Sequence, residues 1–452
     1  MSKKIVINTL PTRGPVSYIV TRSMRDYVLA HGKALLAALC VVVGLSLVIF
    51  RLTSLAGVFG VRATWVMTDF KTAIYYPVVA FLSGENPYAV ERFMQLYPVD
   101  AGFPLYLPMT LLVHLPFGLL ATPVAFYVYF AISLVLLFLV SMVSLTFNRL
   151  PLRTTHVFLI GGLLLLSRPG HWNLLVGQPV LQLVLASYVA LYFAGRSSMI
   201  SALGLALSTM KPTFGIPIAL LMLAQGYVRP VLYAGIISAL INAPLLLILA
   251  LRAGGIGSFW VELIKNIRTW EHEPVVSAAA SIIRLDVTAF LSRFLGQPLG
   301  NTLQIVVFLG ILTVAAVILL RMAAFEDHKF QTLTISIICV ATLLCVHHQA
   351  YDILLLTLPF VGLVFRRFPR EFYVSPSYPI SVALLILLFI NYAASHSVMR
   401  FIPSQSHLWL TVNSLNSFAL LSLFVIWVRA ASKITAALSS NHLRYPSRLL
   451  PG

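Results

Sequence analysis

The sequence predicts an all-α polytopic membrane protein, and two observations support this fold class. Of its 452 residues, 59% are hydrophobic and only 10% are charged, whereas about 25% of residues in soluble domains are charged. Several apolar runs approach or exceed the roughly 17 to 25 residues that a helix needs to cross a hydrocarbon core. The chain leaves no room for a large soluble domain, so a water-soluble globule is excluded.

The charge of the chain is strongly positive, with 31 Lys and Arg against 13 Asp and Glu, for a net charge of +18. The basic residues lie mostly in tails and in turns between apolar runs, a pattern that orients a protein toward anionic lipid. We therefore expect the lipid bilayer as a partner and no nucleic acid. Cys40, Cys339 and Cys345 lie inside apolar runs, which predicts small core residues and no disulfide or metal site.

Thirteen apolar runs are candidate spans. They cover residues 34–50, 105–120, 124–147, 155–167, 179–194, 199–210, 213–225, 229–251, 299–321, 330–346, 351–366, 377–398 and 407–429. Basic residues put both termini on the cytoplasmic side, which requires an even number, so we merge the short neighbours 199–210 and 213–225 and expect about 12 spans (11–13). This merge leaves Arg149, Arg153 and Arg196 outside, against the positive-inside rule.

The predicted domains are a cytoplasmic basic tail (1–33), a transmembrane domain (34–429) and a second basic tail (430–452). The first basic segment is long and no small-residue cleavage pattern follows it, which favours a membrane span over a cleaved signal peptide. Long outer loops are predicted at 51–104 and 252–298. Within the second loop, Ser258–Glu273 mixes tryptophan with charged residues and predicts an amphipathic helix on the membrane surface.

Asp69 is a candidate catalytic residue in the first outer loop. It precedes a helical pattern that includes Tyr75 and Tyr76 and stops at the Gly84–Tyr88 segment, which contains Gly and Pro. A carboxylate at a helix start is kept ionised by the helix dipole and can accept a proton from a hydroxyl. The same position is also typical of a simple N-cap residue, so both interpretations stay open.

Two further motifs place polar residues at the ends of apolar runs. His347 and His348 are followed by Asp352, which stands four residues after His348 and on the same helix face. They suit binding of a phosphate or a sugar hydroxyl, although histidines near an interface are often structural. Lys211-Pro212 at a helix break suits an anionic headgroup, and snorkelling to the interface is the simpler alternative.

A fourth motif runs from Arg168 to Asn173 and continues into Gly177, Gln178 and Pro179. Its Gln, Asn and Arg side chains suit sugar or phosphate, while its Gly and Pro also fit a plain turn. The sequence contains no P-loop, no Gly-x-Gly-x-x-Gly, no His-Glu-x-x-His and no serine nucleophile elbow. This excludes ATP-driven pumps, dinucleotide enzymes and metalloproteases of the usual signatures. No cofactor is expected, and a metal requirement is left open.

Several motifs together resemble glycosyltransferase family 87. In chain order they are the run Asp69–Tyr76, the segment Gly84–Tyr88, Tyr106-Leu-Pro108 with Pro116, Gly177-Gln178, Lys211-Pro212, and His347-His348 with Tyr351-Asp352. The family comprises polytopic GT-C enzymes and includes polyprenyl-phosphate-mannose-dependent mannosyltransferases. The resemblance covers about residues 60–365 and implies a GT-C-like helix bundle with short amphipathic helices in the outer loops.

The resemblance also implies a reaction and roles for residues. A sugar, a hexose such as mannose, would move from a polyprenyl-phosphate donor to a glycolipid or glycan acceptor on the outer face, with inversion. Asp69 would be the catalytic base. The donor-phosphate and acceptor site would contain His347, His348, Lys211, Gln178, Tyr76 and Asp352.

Two other function classes remain open at this point. A lipid-linked-sugar flippase or transporter also has many spans, but it would place ionisable residues near the midplane. An O-antigen polymerase or ligase would need arginines and a histidine in a late loop, and the 252–298 loop offers Arg268, His272, Arg284 and Arg293. The basic tails favour a multi-pass protein of the bacterial inner membrane.

Overall fold

The computed structural model describes residues 15–54, 66–323, 330–404 and 406–444. Throughout these ranges the regular structure is helical, and the β pairing within them is one isolated bridge between Arg284 and Gln349. This agrees with the predicted all-α class. The basic residues Lys3, Lys4, Arg13, Lys329 and Arg448, which were used to orient the chain, lie outside the described ranges.

The α-helices are, in chain order, α1 (Pro15–Ser54), α2 (Tyr76–Leu82), α3 (Val90–Leu96), α4 (Met109–Val113), α5 (Leu115–Gly118), α6 (Thr122–Phe147), α7 (Thr154–Leu166), α8 (Arg168–Val176), α9 (Val180–Phe193), α10 (Ser198–Ser208), α11 (Pro212–Ala224), α12 (Val228–Arg252), α13 (Ile256–His272), α14 (Val287–Leu295), α15 (Asn301–Ala323), α16 (Gln331–Cys345), α17 (Thr357–Val364), α18 (Arg370–Tyr373), α19 (Ser377–Ile390), α20 (His396–Met399) and α21 (His407–Arg444). A π-helix spans Phe70–Tyr75, and 3-10 helices span Ala350–Leu356 and Tyr392–Ala394.

Long apolar helices form the frame of the molecule. Six helical segments among the described residues are long and apolar enough to cross a membrane: His31–Thr53, Thr122–Phe147, Val228–Arg252, Asn301–Ala323, Ser377–Ala394 and His407–Leu438. Most other predicted spans are shorter apolar helices, so the expected total of about 12 stays a prediction. Helices α1 and α21 continue through the basic segments at 15–33 and 430–444 without a break.

The merge of 199–210 with 213–225 was wrong, because α10 and α11 are separate helices. Helix α10 ends at Ser208, and α11 starts with Pro212 in its first turn. Proline lacks the N–H that a continuing helix would need and is well placed in a first turn. The chain therefore turns at Lys211 inside the bundle.

The predicted span at 105–120 is also wrong. The chain there forms only α4 and α5, of five and four residues. Pro108 and Pro116 interrupt the apolar run, and the segment is tied to the first loop by a hydrogen bond from the Tyr75 hydroxyl to the Leu120 carbonyl (2.9 Å). An apolar composition alone cannot distinguish a span from a buried segment broken by proline.

The basic turns lie together at one end of the bundle. The Arg367 guanidinium donates to the Arg149 carbonyl (3.3 Å), and the Arg196 guanidinium donates to the Gln331 side chain (3.1 Å). Arg149 and Arg196 thus lie at the same end as Arg367, which the sequence assigned to the cytoplasm. The conflict with the positive-inside rule came from two errors together, the merge of 199–210 with 213–225 and the counting of 105–120 as a span.

Some of the short helices end inside the bundle, at the ends that lie away from the basic turns. Helix α11 has 13 residues and α12, which follows it after a tight turn, has 25. At 1.5 Å per residue these helices rise about 20 Å and about 37 Å. Lys211 therefore lies roughly halfway along α12, and the segments 66–121 and 253–300 extend beyond it.

The amphipathic helix predicted at Ser258–Glu273 is present as α13. Asn266 and Trp270 donate hydrogen bonds to the Phe103 carbonyl, at 3.0 and 3.2 Å, and so attach α13 to the first outer loop. Trp260 and Val261 are exposed on the other side. The contact of this exposed side with the membrane surface stays a prediction.

Candidate functional site

Asp69 lies where the backbone departs from regular helix. Met67, two residues before it, has φ of 54° and is held by a hydrogen bond from its N–H to the Leu175 carbonyl (2.9 Å). A π-helix starts immediately after Asp69, and both left-handed residues and π-helical turns are frequent at functional sites. The Asp69 side chain makes no capping hydrogen bond to this helix. It is half-buried and directed toward a different part of the chain, Gln178.

Gln178 reaches Asp69 because α8 ends in a tight left-handed turn. Gly177 has φ of 74°, and a Cβ at this position would lie 2.7 Å from the Cβ of Phe70. Only glycine allows the two backbones to approach so closely. The Gln178 amide nitrogen then donates to Asp69 Oδ2 at 2.7 Å, which joins two motifs that are far apart in the sequence.

A chain of hydrogen bonds fixes the orientation of the Gln178 amide. Its oxygen accepts from the Tyr106 hydroxyl (3.1 Å), and its nitrogen donates to the Tyr351 hydroxyl (3.0 Å) as well as to Asp69. The Tyr351 hydroxyl in turn donates to the Gln349 side chain. Because both ends of the Gln178 amide are occupied, an N–H group always faces Asp69 Oδ2, and Asp69 Oδ1 is not part of this chain.

Lys211, Asp352 and His348 form one buried cluster. Lys211 Nζ lies 2.9 Å from each Asp352 carboxylate oxygen, and His348 Nδ1 lies 3.0 Å from Asp352 Oδ2. The other ring nitrogen of His348 lies 3.1 Å from the Thr213 carbonyl. Both nitrogens of His348 are therefore engaged within the protein, and the Lys211 charge is paired with Asp352.

His347 is the half-buried member of the histidine pair. Its Nε2 lies 3.4 Å from the Gln349 amide, next to the chain that leads to Gln178. Burial lowers the pKa of His347 well below its usual range, and the neighbouring Arg284 guanidinium lowers it further. Of the two histidines that the sequence singled out, His347 is partly exposed, whereas His348 is buried with both ring nitrogens engaged.

Arg284 is a site residue whose role the sequence analysis missed. It forms a two-bond pair with Asp286 (2.8 and 2.9 Å), and its backbone bridges to Gln349. The sequence marked Arg284 only as a loop arginine that could serve a rival function. Its spacing of two residues from Asp286 was the available signal, but nothing in the sequence linked this pair to His347.

The surroundings of Asp69 alter its acidity. Burial raises its pKa to about 6, against the lowering effects of the Gln178 hydrogen bond and the Lys211 charge. A group with a pKa near the working pH is suited to accept a proton. The arrangement thus provides a carboxylate whose pKa is near neutral pH and whose Oδ1 lies outside the hydrogen-bond chain.

Tyr76 is not part of this network. Its ring lies 5.0 Å from the ring of Tyr75 and 5.6 Å from that of Tyr97. The structure therefore brings together Asp69, Gln178, Lys211, His347, His348 and Asp352, and places Tyr76 in an aromatic cluster of the first outer loop. Within the described ranges, three or more His, Cys, Asp or Glu residues do not group in a way that could hold a metal ion.

Comparison with known proteins gives one match. The model of glycosyltransferase family 87 matches residues 105–347, more than half of the chain. The match contains Gln178, Lys211 and His347 but begins after Asp69 and ends before Asp352. No curated protein and no solved structure matches the chain.

Proposed function

Because this chain belongs to glycosyltransferase family 87, we propose that it transfers a hexose from a polyprenyl-phosphate donor to a lipid-linked or glycan acceptor. The family makes the protein a membrane glycosyltransferase. The choice of a polyprenyl-phosphate donor is supported by the absence of phosphate-binding loops from the sequence, since the lipid tail would deliver the donor through the bilayer. Mannose, carried by relatives within the family, is the first sugar to test.

One observation carries the proposed mechanism, namely that Asp69 combines a raised pKa with a fixed hydrogen bond on one oxygen only. In the proposed reaction Asp69 removes the proton from the acceptor hydroxyl. The hydroxyl oxygen attacks the anomeric carbon on the face opposite the phosphate, and the bond from that carbon to the phosphate oxygen breaks. The product is a sugar of inverted configuration and free polyprenyl phosphate.

The leaving phosphate gains negative charge, which preorganised donors stabilise most effectively in a site of low polarity. His347 is the residue we propose to contact it, since His348 has both nitrogens engaged. Lys211 would contribute its positive charge and would hold Asp352 in place. Gln178 would orient Asp69, and the family resemblance alone supports a role for Tyr76 in binding the donor or acceptor.

We also propose the topology that this function requires. The order of helix ends is compatible with twelve passes, of which several are short because they end at the buried site. The segments 66–121 and 253–300 would then cover the site on the outer face of the bacterial inner membrane. Basic turns at the other end support this orientation.

Two features that the rival functions would use are present but already engaged: Lys211, roughly halfway along α12, is paired with Asp352, and Arg284, beside His347, is paired with Asp286. Arg293, one of the arginines that a polymerase or ligase would need, is buried and donates to the carbonyls of Asn413 and Ser281. Its role is therefore structural, because it joins α14 to α21. A flippase would move the donor without transferring the sugar, which an assay separates directly.

The test is a transfer assay with purified protein, polyprenyl-phosphomannose and a membrane glycolipid extract. Asp69→Asn should lower turnover about 100- to 10,000-fold, because one positioned general base contributes about that much. Asp100→Asn is the matched control, since Asp100 is an exposed aspartate of the same loop, and it should keep normal activity. Normal turnover by Asp69→Asn would refute the assignment, and translocation of donor without transfer would refute the reaction.

A further inference from the structure

A second cluster of basic side chains lies at the start of α8, away from Asp69. Arg168 is the first residue of α8 and is only 6% exposed, and His171 on the next turn is 4% exposed. Among the described residues, Arg168 Nη1 and His171 Nε2 have no hydrogen-bond partner, although both atoms are buried. Two unsatisfied polar atoms on one turn of a buried helix are rare in a folded interior, because each costs the desolvation of its group.

The positive charges of the cluster have no carboxylate partner among the ion pairs of the described residues. Helix α1 packs against α8 and carries Arg51 near its end, and the Tyr392 hydroxyl donates to the Leu166 carbonyl (2.7 Å) just before α8. The second guanidinium nitrogen of Arg168 donates to the Ala394 carbonyl (2.7 Å). In the described part of the chain, the carboxylates that form ion pairs do so with Arg92, Lys211, Lys265, Arg284 and His348. An arginine buried in an apolar bundle without a counterion is costly, so its retention points to an anion that the protein binds.

The position of the cluster identifies the kind of anion. It lies between α1, α8 and the 3-10 helix Tyr392–Ala394, beside the ends of α7 and α19 that are farther from the basic turns. Arg51 is partly exposed and Tyr392 is 38% exposed, and each lies near the end of an apolar helical segment long enough to span a membrane. The positive end of the α8 dipole adds to the attraction for an anion.

We propose that Arg168, His171 and Arg51 bind the phosphate headgroup of a lipid from the outer leaflet. Arg168 has a free guanidinium N–H for a phosphate oxygen, and Arg51 supplies the second positive charge at the entrance beside Tyr392. Helix α8 has nine residues and rises about 13 Å from Arg168 toward Gln178. This phosphate is therefore distinct from the one that leaves during transfer, and the proposal does not depend on the reaction assigned to Asp69.

The experiment measures lipids retained by the purified full-length protein after delipidation, using native mass spectrometry. Phosphatidylglycerol, polyprenyl monophosphate and inorganic phosphate are added separately. Wild-type protein should retain one of the two lipids, and the one retained at the lower concentration is the source of the headgroup. Inorganic phosphate should not replace it, because only a lipid remains anchored beside α1.

Variants locate the bound lipid. Arg168→Gln and Arg51→Gln should each weaken retention at least about tenfold, since hydrogen bonds to charged groups contribute about 1.5–3 kcal/mol. Arg168→Lys should retain most of the binding. Arg51 is partly exposed, so its variant tests the site even where the buried Arg168→Gln fails to fold. Arg196→Gln, which removes a positive charge at the other end of the bundle, is the matched control and should bind normally.

Equal retention by wild type, Arg168→Gln and Arg51→Gln would overturn the proposal. So would the absence of any retained lipid in wild-type protein, or displacement of the lipid by inorganic phosphate at a similar concentration. Loss of binding in both variants with normal binding in Arg196→Gln would support it, whatever the outcome of the transfer assay.

Discussion

A carboxylate that serves as a general base must be ionised when the acceptor binds, and its neighbours determine the pH at which this happens. Burial raises the pKa of Asp69 to about 6, while Gln178 and Lys211 lower it. Removing one of these lowering contacts should therefore move the ionisation to a higher pH. This makes Gln178 a positioning residue whose effect is measurable apart from any structural role.

The first prediction concerns the pH profile. Wild-type kcat/KM should fall as the pH drops through about 6, since protonated Asp69 cannot accept a proton. In Gln178→Leu the hydrogen bond that stabilises the carboxylate is absent, so the acid limb should move to higher pH. Gln182→Leu is the control: Gln182 contacts His114 instead of Asp69, and the limb should stay in place. An unshifted limb in Gln178→Leu would contradict the role.

The second prediction separates a structural Lys211 from a ligand-binding one. Lys211→Met leaves the buried Asp352 carboxylate without its lysine partner, with only His348 beside it, and breaking a buried pair costs about 3–5 kcal/mol. We expect a clear loss of thermal stability in detergent. The double variant Lys211→Met with Asp352→Leu should recover part of this stability, because it also removes the unpaired charge. Unchanged stability of the single variant would favour a Lys211 that serves only ligands.

At the scale of elements, the turn between α8 and α9 brings Gln178 to the π-helix. Gly177 and Gly226 both have positive φ, of 74° and 84°. They differ in their surroundings: a Cβ at Gly177 would meet Phe70 at 2.7 Å, whereas a Cβ at Gly226 has nothing within 4 Å. This pair allows backbone strain to be separated from steric displacement of the Asp69 segment.

The third prediction uses this pair. Gly177→Ala and Gly226→Ala should each lower the free energy of unfolding by about 1–2 kcal/mol, because alanine is strained in the left-handed conformation. Only Gly177→Ala should also lower turnover, because its methyl group pushes Phe70 and thereby Asp69 away from Gln178. Stability is measured by thermal unfolding and turnover by the transfer assay. Equal turnover in the two variants would show that this close approach does not position Asp69.

The sequence predicted some elements well and others not, for physical reasons. Helix α13 was predictable because its charged and aromatic residues alternate at helical spacing over a long segment. The runs 105–120 and 199–225 were misread because proline changes the path of a chain without changing its average hydropathy. In both, the prolines were visible but hydropathy was given more weight.

At the scale of the whole molecule, the site depends on contacts that no local pattern contains. Lys211 and Asp352 are 141 residues apart, and Asp69 and Gln178 are 109 apart. The sequence could nominate each residue as a polar group near an apolar run, and six of seven candidates do come together. It could not show that Lys211 pairs with Asp352, that His348 is fully engaged or that Arg284 lies beside His347, because these follow from how the short helices pack.

The last prediction concerns the path of the chain between residues 120 and 225. The hydrogen bonds of Arg367 to Arg149 and of Arg196 to Gln331 place the turns before α7 and α10 at one end of the bundle. We assign this end to the cytoplasm. Leu152, just before α7, and Met199, in the first turn of α10, are 57% and 55% exposed, so Leu152→Cys and Met199→Cys should react with a membrane-impermeant maleimide only after the cells are opened. Asp100→Cys in the first outer loop should react in intact cells. The three native cysteines are buried, so wild-type protein should give a low background. Labelling of Leu152→Cys in intact cells would overturn the twelve-pass topology, because it would require 105–120 to cross the membrane, and an extra crossing reverses every turn that follows it.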